Sequence, residues 1–220
     1  MNTNEKFVIT ISRELGSGGH TIAQKLAEKM GVRLYDKELI KQLSERFNLN
    51  QTSIERLKAQ KKNWMSDFVR LVFPAPAPTS FTAAEPIHTK REYDPEVTTD
   101  DIFLAETEIL RGLAEEGSCV IAGRSGFFAL KDCPNKVDIF ITASRENRIA
   151  RVMRKQNLSR EMAEEDIDRV DMARENYIKR YAGVSRYDAR NYHLTINVDG
   201  MTEDQAVDVI LAYCNAQPMM

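Results

Sequence analysis

Apolar positions in this chain fall into short continuous runs that alternate with longer stretches at three-to-four spacing. Phe7 to Ser12 (FVITIS) is a β-branched run of strand length. Beyond the small-residue turn Gly16-Ser17-Gly18-Gly19, Ile22, Ala23, Leu26, Ala27 and Met30 recur at helical spacing, and Gly31 closes that helix. Val32 to Tyr35 predicts a second strand ending at Asp36. The helix expected over Lys37 to Phe47 carries Leu39, Ile40, Leu43 and Phe47 on one face. Thr52-x-x-Glu55 is a capping box that opens a further helix with Ile54, Leu57, Met65, Phe68, Val69 and Val72.

Pro74-Ala75-Pro76-Ala77-Pro78 stops that helix, and polar sequence follows to about Pro95. This stretch therefore reads as an exposed insertion or an interface, within one domain spanning 1–220. Periodicity resumes over Thr99 to Glu116 as a helix, then Cys119 to Ala122 as a buried strand and Val137 to Thr142 as another. Ser144 and Ser159 are placed to cap two helices, Tyr192 to Asn197 predicts the last strand, and Thr202-x-x-Gln205 caps the C-terminal helix. Five short strands separated mostly by helices predict an α/β protein: a five-stranded parallel sheet with helices on both faces. Ligands of such sheets bind outside the carboxyl ends of the strands, near the switch in strand order.

Composition narrows the class without naming a function. The 220 residues are 42% hydrophobic and 29% charged, with a net charge of −2, which gives no bulk attraction to nucleic acid or to an anionic membrane. Cys119, Cys133 and Cys214 are widely spaced and form neither a disulfide framework nor a zinc motif, so no metal ligands are expected. No apolar run reaches membrane-spanning length and no secretion signal is visible, so the expected compartment is cytoplasmic.

The candidate chemistry stands at the predicted strand ends. Strand, glycine turn and helix together aim unpaired backbone N–H groups and a helix dipole at one point, which suits a phosphate. Gly16, Ser17, Gly18, Gly19, His20 and Thr21 form this turn. A P-loop of the form GxxxxGK[ST] would place glycine at Arg13, lysine at Gly19 and a hydroxyl at His20; only Gly18 and the following Thr21 fit. Arg13 is a candidate for the missing cation, and Thr21 or Ser17 for the missing hydroxyl; a surface pairing of Arg13 with Glu14 is the other reading. Asp36 ends strand two, as a helix cap, a functional carboxylate or both. Arg124, between Gly123 and Gly126 after a buried strand, suits a bound anion. Arg145, Arg148, Arg151 and Arg154 recur through one helix, and residues 145–190 resemble an arginine-rich helical lid over polyphosphate.

Taken in order, ISRELGSGGHTIAQKLAEKMG, LYD, VIAGRSG, DIFITASRENRIARVMR, DRVDMARENY and YHLTINVDGMTEDQAVDVI resemble the cytidylate-kinase-like branch of the P-loop nucleoside monophosphate kinases. Gln51 to Thr98 is unmatched, so the resemblance implies an insertion over about 51–98, on the acceptor side or at an interface. The resemblance implies an acceptor-site aspartate at Asp36, the GRD arginine at Arg124, a D-x-x-R acceptor pair at Asp171 and Arg174, and lid arginines at Arg148 and Arg151. It also implies ATP with Mg2+ as donor and cytidylate as the nearest acceptor, nucleotides being the expected partners. Besides Gly19 and His20, the chain departs from the pattern at Ser125, where GRD has its aspartate. Three functions remain open from sequence: nucleoside monophosphate kinase, nucleotide-binding protein of the same fold without transfer, and kinase of another small metabolite. Oligomeric state is not encoded in any motif, and a homo-oligomer is left open.

Overall fold

A computed structural model describes residues 1–36 and 99–216, with backbone only at 99, 101 and 102. The helices expected after Asp36 and after Thr52, and the proline-rich run, lie outside the described residues. The chain forms two units, Met1–Leu39 with Gly117–Met220, and Ile40–Glu116.

The first unit opens with β1 (Val8–Arg13), α1 (Gly19–Met30) and β2 (Arg33–Asp36). In the second unit, α2 (Thr99–Glu116) buries Ala105, Ile109, Leu110 and Leu113 along one face. The chain continues in the first unit with β3 (Cys119–Ala122), α3 (Gly126–Ala129), β4 (Lys136–Thr142), α4 (Arg145–Gln156) and α5 (Arg160–Ala182). A 3-10 turn at Ala189–Asn191, β5 (Leu194–Asn197) and α6 (Glu203–Ala216) complete it.

The strands form one sheet in the order β2-β3-β1-β4-β5, and every pairing is parallel. The central strand β1 is buried on both sides of the pleat, as its apolar run requires. On one face Ile9, Ile11, Val120, Ile139, Ile141 and Ile196 meet Ile22, Leu26, Val207 and Ile210 of α1 and α6. On the other lie α3 and an aromatic group in which the Phe127 and Phe140 rings stand 5.2 and 5.1 Å from that of Tyr192. The expected α/β sheet is therefore present, and β1 lies at the point where the chain turns from one side of the sheet to the other.

Local signals act where the sequence placed them. Ser144 and Ser159 accept from the N–H groups of Asn147 and Met162, and Thr202 and Gln205 exchange both bonds of a capping box, at 2.9 and 3.2 Å. Strand boundaries differ by one or two residues: β2 runs from Arg33 to Asp36 rather than from Val32 to Tyr35, and β4 begins at Lys136 rather than Val137. β1 extends through Arg13, which pairs with Ile141, and β5 begins at Leu194 because Tyr192 follows the 3-10 turn with its ring among the aromatics. No helix among the described residues is long and apolar enough to cross a membrane.

Candidate functional site

The turn between β1 and α1 is built on two left-handed glycines, Gly16 (φ +83°) and Gly18 (φ +84°), a conformation that side chains disfavour. A β-carbon on Gly16 would also stand 2.6 Å from the carbonyl oxygen of Arg148, so α4 lies directly on the turn. Ser17 is buried; its hydroxyl donates to the Glu14 carbonyl at 2.9 Å and accepts from Gly19 N–H at 3.4 Å. The hydroxyl is thus engaged inside the turn, and Thr21 is the hydroxyl left on the outer side. Among the described residues, the backbone N–H groups of Gly18, His20 and Thr21 find no acceptor. These donors are the ones a helix N-terminus offers to an anion.

Arg13 crosses the mouth of this turn. A side chain at Gly19 would begin 2.5 Å from the Arg13 β-carbon, and one at Gly123 would begin 2.1 Å from an Arg13 guanidinium nitrogen. The arginine therefore runs from the glycine turn to the end of β3, over both glycines. Glu14 is not its partner: that carboxylate accepts from Arg148 at 3.2 Å and from the Thr142 hydroxyl. Burial, then the like charges of Arg174 and Arg186, lower the Arg13 pKa to about 10, while Asp36 raises it and Arg124 lowers it further. Arg13, Asp36 and Arg124 thus share one electrostatic neighbourhood at the ends of β1, β2 and β3.

Asp171, buried on α5, accepts from Leu15 N–H at 3.1 Å, Arg174 at 3.4 Å, Arg186 at 3.3 Å and Arg148. Arg148 also donates to the Leu15 carbonyl at 2.8 Å. The predicted lid arginine Arg148 is therefore buried and committed to holding the turn. Arg174, of the predicted acceptor pair, donates to the Arg13 carbonyl at 3.0 Å, and its pKa is lowered by burial and then by Arg186.

Arg186 is a residue the motifs did not single out. It too donates to the Arg13 carbonyl, at 2.5 Å, and its guanidinium lies 5.7 and 5.3 Å from the ring centres of Phe140 and Tyr187. It follows the α5 cap Gly183, outside any helical period, so the sequence offers it only as one of the many arginines of the 145–190 segment.

Gly123, Arg124 and Ser125 have φ values of +94°, +52° and +56° in succession, and this turn delivers the Arg124 backbone to the end of β3. Two consecutive left-handed non-glycine residues cost about 1–3 kcal/mol each, a strain typical of functional turns. Arg151 lies over Gly18, with its guanidinium carbon 2.9 Å from where a β-carbon would stand, and pairs with Glu203. Two clefts flank the turn. One of about 170 Å³ is lined by Arg13, Gly18 to Thr21, Arg151 and Lys155. The other, about 230 Å³, lies between Gly16 and Ser17, Asn147 to Arg154 of α4, and Val198 to Glu203. No group of His, Cys, Asp and Glu suited to a metal ion occurs among the described residues.

Comparison with solved structures places the fold among known kinases. The chain is similar to an uncharacterized protein from Eubacterium ventriosum, with a TM-score of 0.69, 24% identity and coverage of 96% of this chain and 100% of that one. It is also similar in fold to shikimate kinase from Bacteroides thetaiotaomicron, with a TM-score of 0.51, 11% identity and coverage of 96% and 99%. Comparison with curated proteins gives no match. The description of the cytidylate kinase-like family matches residues 8–200, which include the glycine turn, the β3 end and both arginine-bearing helices, and the chain belongs to that family.

Proposed function

We propose that the protein transfers the terminal phosphoryl group of Mg-ATP to a nucleoside monophosphate, with cytidylate the nearest acceptor. The observation that carries this reading is the cluster that Arg13 forms with Arg124, Arg174 and Arg186 beside the Gly16–Thr21 turn and its open amides. Phosphoryl transfer needs charge neutralisation from several sides and little covalent help from the protein.

In this reading the amides of Gly18, His20 and Thr21 bind donor phosphates, and Arg151 approaches them across Gly18. The donor base and ribose occupy the 230 Å³ cleft between α4 and the Val198–Glu203 segment. Arg13 and Arg124 face the transferring and acceptor phosphates, with Asp36 orienting the acceptor or a magnesium-bound water. Asp171 and Arg148 position the turn rather than touch the substrate. The α4–α5 hairpin then serves as the cover of the site.

A second reading, nucleotide binding without transfer, is favoured by the glycine at position 19 and by the inward Ser17 hydroxyl. Transfer from radiolabelled ATP to CMP, UMP, AMP and dCMP, run beside thermal shifts with the same ligands, separates the two. Labelled nucleoside diphosphate supports the kinase. A shift with ATP and no labelled product for any acceptor overturns it in favour of the binding protein.

A further inference from the structure

The glycine turn cannot carry its own cation. Any side chain at Gly19 would meet the Arg13 β-carbon at 2.5 Å, its γ-carbon at 3.0 Å and Ile141 at 3.3 Å. Arg13 leads its charge away from this point, toward Gly123. On the donor side the cation has to come from another element, and α4 lies against the turn at both Gly16 and Gly18.

Along α4 the basic residues differ in what they are free to do. Arg148 is held by Glu14, Asp171 and the Leu15 carbonyl, and Arg151 is paired with Glu203. One turn after Arg151 comes Lys155. Its ammonium donates to the Thr21 hydroxyl at 3.4 Å, which bridges the last turn of α4 to the first turn of α1. Lys155 lines the 170 Å³ cleft together with Gly18 to Thr21. Among the described residues it forms no ion pair, so its charge is met only by a neutral hydroxyl and by the negative end of its own helix. An ammonium has three donors on a flexible stem, and one bond to Thr21 leaves two for another acceptor.

We propose that Lys155 binds the donor polyphosphate, supplying from α4 the charge that position 19 cannot carry. This rests on the donor-site reading above. A polyphosphate on the amides of His20 and Thr21 lies beside the Thr21 hydroxyl, within reach of the ammonium already bonded there. The lysine is a point charge, the same chemical class as the cation that the GxxxxGK[ST] turn would carry.

The test is titration calorimetry of full-length wild type, Lys155→Met, Lys155→Arg and Lys29→Met with Mg-ATP, inorganic tripolyphosphate and CMP. Lys155 is exposed, so its replacement leaves the fold in place, and Lys29→Met removes an equal charge at the surface pair with Asp208. Lys155→Met should weaken Mg-ATP and tripolyphosphate by about tenfold or more, with CMP unchanged. Lys155→Arg should recover most of that loss, and Lys29→Met should change nothing. Wild-type binding of Mg-ATP with an unaltered Lys155→Met affinity overturns the role of Lys155 and leaves the donor site standing. Failure of wild type to bind Mg-ATP or tripolyphosphate overturns both.

Discussion

Asp171 and Arg148 meet in the interior with side chains 9% and 8% exposed, and through them α5, α4 and the glycine turn become one assembly. The carboxylate is the shared counter-charge of Arg148, Arg174 and Arg186. Removing it strands buried guanidinium groups, a change that typically costs about 3–5 kcal/mol. Asp171→Ala should accordingly lower unfolding free energy by that order in urea titration. A loss below about 1 kcal/mol would show that the arginines find other partners.

Arg13 carries a charge that the ligand-free fold holds under stress, because burial and the nearby Arg174 and Arg186 bring its pKa down to about 10. Arg13→Met keeps a stem over Gly19 and removes the charge. Stability of the ligand-free protein should rise by about 1 kcal/mol, while affinity for nucleoside triphosphate falls. Arg13→Lys should recover only part of the affinity, since a point charge replaces a planar fork. Calorimetric melting and ATP titration on the same samples check both halves, and an unchanged affinity assigns Arg13 to structure alone.

Arg124→Ala should weaken nucleoside monophosphate binding by roughly 1.5–3 kcal/mol and ATP binding by much less. The asymmetry follows from its place at the end of β3, across Gly123 from the glycine turn. Equal losses for both ligands in calorimetric titration would place Arg124 between the two phosphates instead.

The Glu203 carboxyl is held below the usual range by its hydrogen bond from Arg151, with help from the first turn of α6. A carboxyl depressed on folding adds stability above its unfolded pKa of about 4.3 and loses it as pH falls through the lower folded value. The pair is partly exposed, so its contribution is about 0.5 kcal/mol. Glu203→Gln should be less stable than wild type at pH 7, and the gap should close at pH 3. A gap that stays constant across that range removes the ion pair as its cause.

Strands and helix caps were legible because their signals are local. Ser144, Ser159 and Thr202 with Gln205 each act within three residues of themselves, and the apolar runs of β1, β3 and β4 need only a sheet to be buried in. The Asp171 assembly was legible only as a D-x-x-R pair. Its partners Leu15 and Arg148 lie 156 and 23 residues away, and no periodicity links them. Helix α3 escapes the pattern because it is a single turn, and because Arg124 and Ser125 adopt positive φ, which neither residue type announces. Asp138 is a similar case. It lies inside an apolar strand, balanced by Lys136 at 2.8 Å and by the Thr10 hydroxyl at 2.6 Å, neither of which the strand pattern marks as a partner.

The crossing of Arg13 over Gly19 also limits how this sequence can change. Lysine cannot enter at position 19 while arginine stands at 13, because the first atom of the new side chain already overlaps the Arg13 β-carbon. Any β-carbon left at position 13 raises the same conflict, so the route to a lysine-bearing turn begins with glycine at 13. The two positions form a ratchet in sequence space: a library randomised at 19 alone should return glycine, and one randomised at both should return lysine only beside glycine.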